Sequence, residues 1–243
     1  MNGLPSSTLQ ARSLPAPPAG LFHLDRARGL ALPALSAFLT LGPVFLQAPL
    51  VRLAPMAAAA CTVPLLLIAL ALAFHRDSAR HPLGVLLVGF AGSWLGGSLY
   101  WGWFREFPVW HLPIEGFALA LALGGLQTRW RLGACFYLAS LLGTAITDGL
   151  IALTGLMPLW PPVVQAAPEA AASLLQQAAQ FLLHPPPLMA MGLASWWILQ
   201  LARLLWQGDP AKRVAAAALA CTLLVDGVFF GAALLAPHLS GLI

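Results

Sequence analysis

The amino-acid sequence predicts an all-α integral membrane protein with about seven transmembrane helices and one amphipathic surface helix. Three observations carry this. Of the 243 residues, 60% are apolar and only 8% are charged, whereas a soluble domain carries roughly 25% charged residues to keep its surface hydrated. Seven segments approach the roughly 20 mainly apolar residues needed to cross about 30 Å of hydrocarbon. Nearly all the basic residues fall on one side of the alternation those segments create.

The elements follow in order. Residues 1–28 contain Pro15, Pro17, Pro18, Ser6, Ser7 and Ser13 and read as a disordered cytoplasmic tail. No short apolar core there leads to a cleavage site, so the tail is not read as a secretory signal. From 29 to 243 the chain reads as one transmembrane bundle. Its spans are expected at 29–50, 53–74, 82–104, 108–126, 132–156, 187–206 and 214–236. Between the fifth and sixth, residues 157–186 are rich in Pro, Ala and Gln, and 168–183 has helical composition. There Leu174, Leu175, Ala178, Phe181 and Leu182 share one face, which predicts a helix lying on the membrane surface.

The charges set an orientation. With the N-terminus in the cytoplasm, the inner segments hold Arg12, Arg26, Arg28, Arg76, Arg80, Arg129, Arg131, Lys212 and Arg213, with Arg203 close by. The outer segments hold Arg52 and Arg105, and the long 157–186 loop has no Lys or Arg. Such an asymmetry is what orients membrane proteins. It also explains the net charge of +4 without nucleic acid. Tyr100, Trp101, Trp103, Trp110 and Trp160 gather at outer span ends and Trp130 and Trp206 at inner ends, where aromatic rings anchor a bundle at the interface.

Within the bundle, Gly92-x-x-x-Gly96 invites close approach by a neighbouring helix. Pro64 and Pro113 lie inside spans and each frees a carbonyl that needs another partner. Cys61, Cys135 and Cys221 read as small core residues.

Three carboxylates, Glu115, Asp148 and Asp226, lie inside apolar spans. Each costs about 2.5–3.5 kcal/mol on insertion scales, so such residues face a bundle interior or a wet cavity and mark function by default. All three reach the middle or outer half of the membrane at about 1.5 Å per residue. His111 precedes Glu115 by four residues and shares its helix face. These groups, with Arg52 and Arg105 at the rim and the aromatic collar, suggest an outward pocket for protons or a ligand. The bland alternative is that the acids only hydrogen-bond within the bundle, the arginines snorkel and the rings anchor.

No cofactor is evident. Mid-span Lys, paired intramembrane His, phosphate-binding Gly loops, His-Glu-x-x-His and Gly-x-Ser-x-Gly are all missing. No nucleotide and no metal site is expected.

Residues 45–55 (FLQAPLVRLAP), 98–115 (SLYWGWFREFPVWHLPIE), 136–160 (FYLASLLGTAITDGLIALTGLMPLW) and 224–229 (LVDGVF) resemble a cyanobacterial family of multi-span membrane proteins known as domain of unknown function 3120. The resemblance runs roughly from 36 to 230 and leaves the N-terminal tail outside. It implies a cyanobacterial plasma or thylakoid membrane and no activity. Pro113-Ile114-Glu115 is also similar to the Pro-x-Glu-Glu of membrane-embedded carotene cyclases, in which an acid is thought to protonate a polyene; here Gly116 replaces the second acid.

Beyond the lipid bilayer itself, three functions stay open. One is a small-solute or ion permease coupled to protons through the intramembrane acids. Another is a non-catalytic partner or assembly factor of a membrane complex. The third is a lipid or isoprenoid enzyme with Glu115 as general acid.

Overall fold

A computed structural model describes residues 19–75 and 80–239. The part of the expected tail before residue 19, with Arg12, lies outside the described residues, as does Arg76. The first helix, α1 (Ala19–Leu53), begins ahead of the expected residue 29 and takes in the end of the expected tail. Three prolines lie within it, Pro33, Pro43 and Pro49.

The described residues are helical, and six stretches are long and apolar enough to cross a membrane. After α1 come α2 (Pro55–Ala60) and α3 (Thr62–Ala73), parted by a turn at Cys61. Pro64 explains that break, because it has no N–H to offer the Ala60 carbonyl four residues back. Helix α4 (His81–Leu99) continues into a π-helical turn, Tyr100–Phe104. Later come α7 (Arg131–Leu153), α10 (Pro185–Trp206) and α11 (Pro210–Leu235).

The fourth expected span, 108–126, differs from a regular helix. It is a series of short pieces: a 3-10 turn at Pro108–Trp110, α5 (His111–Glu115), a second 3-10 turn at Gly116–Ala118 and α6 (Leu119–Gly125). It nevertheless runs antiparallel to α7 along most of that helix. His111 meets Asp148, Glu115 meets Thr144, the Ala118 N–H meets Tyr137, and Gly125 lies against Ala134. From Asp148 to Ala134 this ladder covers about 21 Å at about 1.5 Å per residue. Beside the six long apolar stretches among the described residues, the 108–126 segment is a broken one packed against protein, which is where irregular backbone is tolerated at membrane depth.

Small residues bring α3, α4 and α7 together. A Cβ on Gly84 would overlap the backbone of Ala73 and Ala69, one on Gly89 the backbone of Gly133, and one on Gly133 the Val85 carbonyl. The pair Gly92 and Gly96 lies further along the same helix, against the Tyr137 ring and the Glu115 backbone. Around these contacts Leu86, Phe90, Phe136, Val214, Ala218 and Leu219 form the largest apolar core. Ser36 of α1 donates to the Val214 carbonyl of α11 at 2.8 Å.

The 157–186 segment forms two helices, α8 (Trp160–Gln165) and α9 (Pro168–Phe181). The amphipathic helix is present, but its buried face is set by Ala171, Leu175 and Ala179, which pack with Val163 against Ala233 near the end of α11. Phe181, expected on the apolar face, is exposed. Alanines set the face because they let α9 lie close on α11, and Gln176 donates to the Leu234 carbonyl there at 3.1 Å. The helix is thus seated on protein and not on lipid alone.

Two ends of the bundle are distinct. One carries Arg80, Arg129, Arg131, Lys212 and Arg213 around the starts of α4, α7 and α11. The other carries the Tyr100–Phe104 turn, Trp110 and α8.

Candidate functional site

The site grows out of two helix irregularities facing each other near the aromatic end. In the broken span, Pro113 leaves the Val109 carbonyl without its helical donor and Gly116 follows three residues after it. The chain passes from α-helix to a 3-10 turn immediately after Glu115. The Tyr137 hydroxyl of α7 enters that gap, donating to the Glu115 carbonyl and accepting from the Ala118 N–H at 3.1 Å. A side chain inserted into the backbone ladder is a recognised cause of a sharp kink.

The break presents His111 and Glu115 to α7. His111 Nδ1 lies 3.0 Å from Asp148 Oδ1, and Nε2 lies 3.2 Å from Glu115 Oε1. The other Glu115 oxygen, Oε2, accepts from the Thr144 hydroxyl at 3.0 Å. One turn of α7 away, Thr147 donates to Asp226 Oδ2 of α11 at 2.7 Å. Thr144, Thr147 and Asp148 sit at i, i+3 and i+4 and so form one polar stripe, joining the broken span on one side to α11 on the other.

The imidazole is also packed by rings. Tyr100 stacks on it with ring centres 4.0 Å apart, and Trp101 meets its edge at 6.0 Å. Trp101 in turn meets Trp160 of α8 at 5.9 Å. Trp160 donates to the Arg105 carbonyl at 2.7 Å, and Gln165 to Glu106 at 3.0 Å. The π-helical turn, a feature frequent at functional sites, supplies Tyr100 and Trp101 together.

The chemistry follows from counting hydrogens. Both ring nitrogens face a carboxylate oxygen, so each contact needs a hydrogen. An imidazolium between two carboxylates supplies both; so does a neutral imidazole beside one protonated acid. Either way the group of three holds two shared hydrogens and one negative charge. With side chains only 16–19% exposed, such a group can gain, lose or pass a proton with small heavy-atom movement.

The sequence-predicted residues therefore divide. His111, Glu115, Asp148, Tyr100 and Trp101 come together, and Asp226 joins them through Thr147. Trp103 and Trp110 point away, 44% and 56% exposed. Arg52 is exposed at the end of α1, and Arg105 touches the cluster through its backbone. His111 lies between Glu115 and Asp148. Sequence reasoning missed Tyr137, Thr144, Thr147 and Trp160. The hydroxyls at helical spacing before Asp148 were the available signal for Tyr137 and the threonines. Trp160 had only its place at a span end.

Tyr137→Phe tests the inserted hydroxyl. It keeps the ring and leaves two backbone groups without their partner, at a cost of about 1–3 kcal/mol. Thermal unfolding of the purified variant should show this loss, and an unchanged midpoint would assign the break to Pro113 and Gly116 alone.

The family model described as Protein of unknown function (DUF3120) matches residues 36–234. No curated protein and no solved structure matches the chain.

Proposed function

Since the chain belongs to the family described as Protein of unknown function (DUF3120), we propose from its own geometry that it is a permease for a small solute or ion, coupled to protons. The observation that carries this reading is His111 held between Glu115 and Asp148, contributed by two antiparallel segments, one of them broken at that level. Discontinuous spans near the bilayer interior are where secondary transporters bind their cargo. Asp226, tied to the same stripe through Thr147, offers a second site for a proton or cation.

The apolar core around Phe90 and Phe136 separates this cluster from the arginine-rich end. A cycle of transport would need that half to open. The distribution of arginines supports a cytoplasmic N-terminus, with the cluster nearer the outer face. The enzymatic reading is weaker, because both Glu115 oxygens are engaged, by His111 and Thr144, and an acid catalyst needs reach to its substrate.

The test is complementation of a deletion strain with wild type, Glu115→Gln, Asp148→Asn or Asp226→Asn. Growth is scored across external pH, and expression is checked by membrane immunoblot. Well-expressed neutral variants should fail, most severely where the external proton supply is limiting. Full complementation by all three would remove transport and acid catalysis together and leave an assembly partner of a membrane complex as the reading.

A further inference from the structure

On the arginine-rich end, away from the acid cluster, a depression of about 290 Å³ opens where α4, α7 and α11 begin. His81, Arg129, Arg131 and Asp209 line it, together with apolar wall from Pro82, Val85 and Leu132. We propose that this depression binds the phosphate headgroup of an anionic membrane lipid.

Arg129 is the residue that would meet it. Its guanidinium lies 4.7 Å from the centre of the Phe74 ring and 5.2 Å from that of Trp130, and the two rings are packed edge to face with centres 5.8 Å apart. Ring faces hold a guanidinium in place without occupying its five N–H donors. Among the described residues no carboxylate pairs with Arg129. A fixed, planar set of donors suits a phosphate, which arginine can bind through two parallel hydrogen bonds.

Asp209 does not close the site to an anion. Its carboxylate meets Arg131 Nη2 at 2.9 Å and caps α11, accepting from the Ala211 and Lys212 N–H groups at 3.0 and 3.2 Å. Partial burial pushes its carboxyl up, but the Lys212 N–H, the Arg131 guanidinium and the Ala211 N–H outweigh this and hold it below the usual carboxylate range. Its charge is therefore matched locally. Arg129 remains as the excess positive charge lining the depression.

The occupant is set by the combination of charge and wall. The depression lies at the ends of spanning helices, the level at which headgroups sit. Basic pockets between helix ends are sites for lipid phosphates. Its volume falls at the low end of small-molecule sites, enough for a phosphate and the first carbons attached to it. The surface from Val85 and Leu132 suits the glycerol and upper acyl region. A free inorganic anion would leave that wall unused. This inference rests on the membrane fold and is independent of the permease reading.

The full chain, purified in a non-ionic detergent, is titrated with phosphatidylglycerol, with phosphatidylcholine and with inorganic phosphate, and thermal unfolding is followed. Phosphatidylglycerol should raise the midpoint by several degrees more than phosphatidylcholine, and millimolar phosphate should give no such increment. Arg129→Gln should weaken the phosphatidylglycerol response roughly fivefold, as expected for one headgroup-level arginine, while leaving the midpoint in phosphatidylcholine unchanged. Phe74→Leu should weaken it in the same direction. Equal effects of the two lipids, or an undiminished response in Arg129→Gln, would overturn the proposal. An increment reproduced by inorganic phosphate alone would convert it to a free-anion site and overturn it as a lipid site.

Discussion

A single methyl group at Gly133 is expected to drive α4 and α7 apart. The Cβ of Gly133→Ala would overlap the Val85 carbonyl oxygen and press on the Gly89 N–H. Those atoms are backbone, so no rotamer change relieves the clash, and one helix axis must move. Ordinary overpacking of a core costs about 1–3 kcal/mol and occasionally more; with backbone on both sides the upper end, about 3 kcal/mol, is expected. At about 2–4 °C per kcal/mol for a chain of this length, the unfolding midpoint should fall by roughly 6–12 °C. Gly192→Ala in α10 is the matched control, since nothing lies within 4 Å of its added Cβ and alanine favours helix over glycine. Equal midpoints for the two variants would mean that α4 and α7 are not in close contact.

His111→Phe is expected to cost nearly as much by a different route. Phenylalanine keeps a ring to stack on Tyr100 and removes the two nitrogens through which His111 meets Glu115 and Asp148. Two carboxylates are then left facing an apolar ring. Removing one partner of a buried charge pair costs about 3–5 kcal/mol, and the partial exposure of these side chains argues for the lower figure, about 3 kcal/mol. Adding Glu115→Gln and Asp148→Asn to the same variant should restore most of the loss, because neutral amides no longer need the missing hydrogens. Unfolding midpoints of the single, double and triple variants give the coupling directly. If His111 serves only as a stacked ring, His111→Phe will be near neutral and the amide changes will rescue nothing.

Much of the fold was legible because its solvent is lipid. An apolar run of sufficient length admits few readings, and arginines gather at one end of the bundle. The boundaries of α4, α7 and α10 fall within a few residues of the expected 82–104, 132–156 and 187–206. The broken fourth span was not legible. Its hydropathy matches that of a regular span, and Pro113 gave notice of a kink without saying which side chain would fill it. That depended on Tyr137, which lies 22 residues away in the sequence.

The site shows the same division. Intramembrane acids stand out in any sequence, and the four-residue spacing of His111 and Glu115 placed them on one face. Their meeting with Asp148 is a property of the register between two segments. That register is held by close contacts such as Gly125, whose added Cβ would lie 3.2 Å from the Ala134 Cβ of α7. Arg52 and Arg105 were expected at the rim because they end spans at the same level; the side chains seen against the acids are His111, Thr144 and Thr147. For α9, periodicity found the helix but weighted large side chains over alanines, and the face that packs on α11 is the small one.

The inserted Tyr137 hydroxyl has a consequence for biosynthesis. The helix that mends the break lies downstream of it, so the ribosome delivers residues 108–125 to the translocon before the mending group exists. Until α7 emerges, the Glu115 carbonyl and the Ala118 N–H have no partner from that helix, and hydrocarbon would offer them none. The segment must therefore either enter the lipid as a regular helix that is remodelled later, or wait beside the translocon until α7 joins it as a hairpin. In both cases the His111 cluster is assembled late, by the arrival of a neighbour.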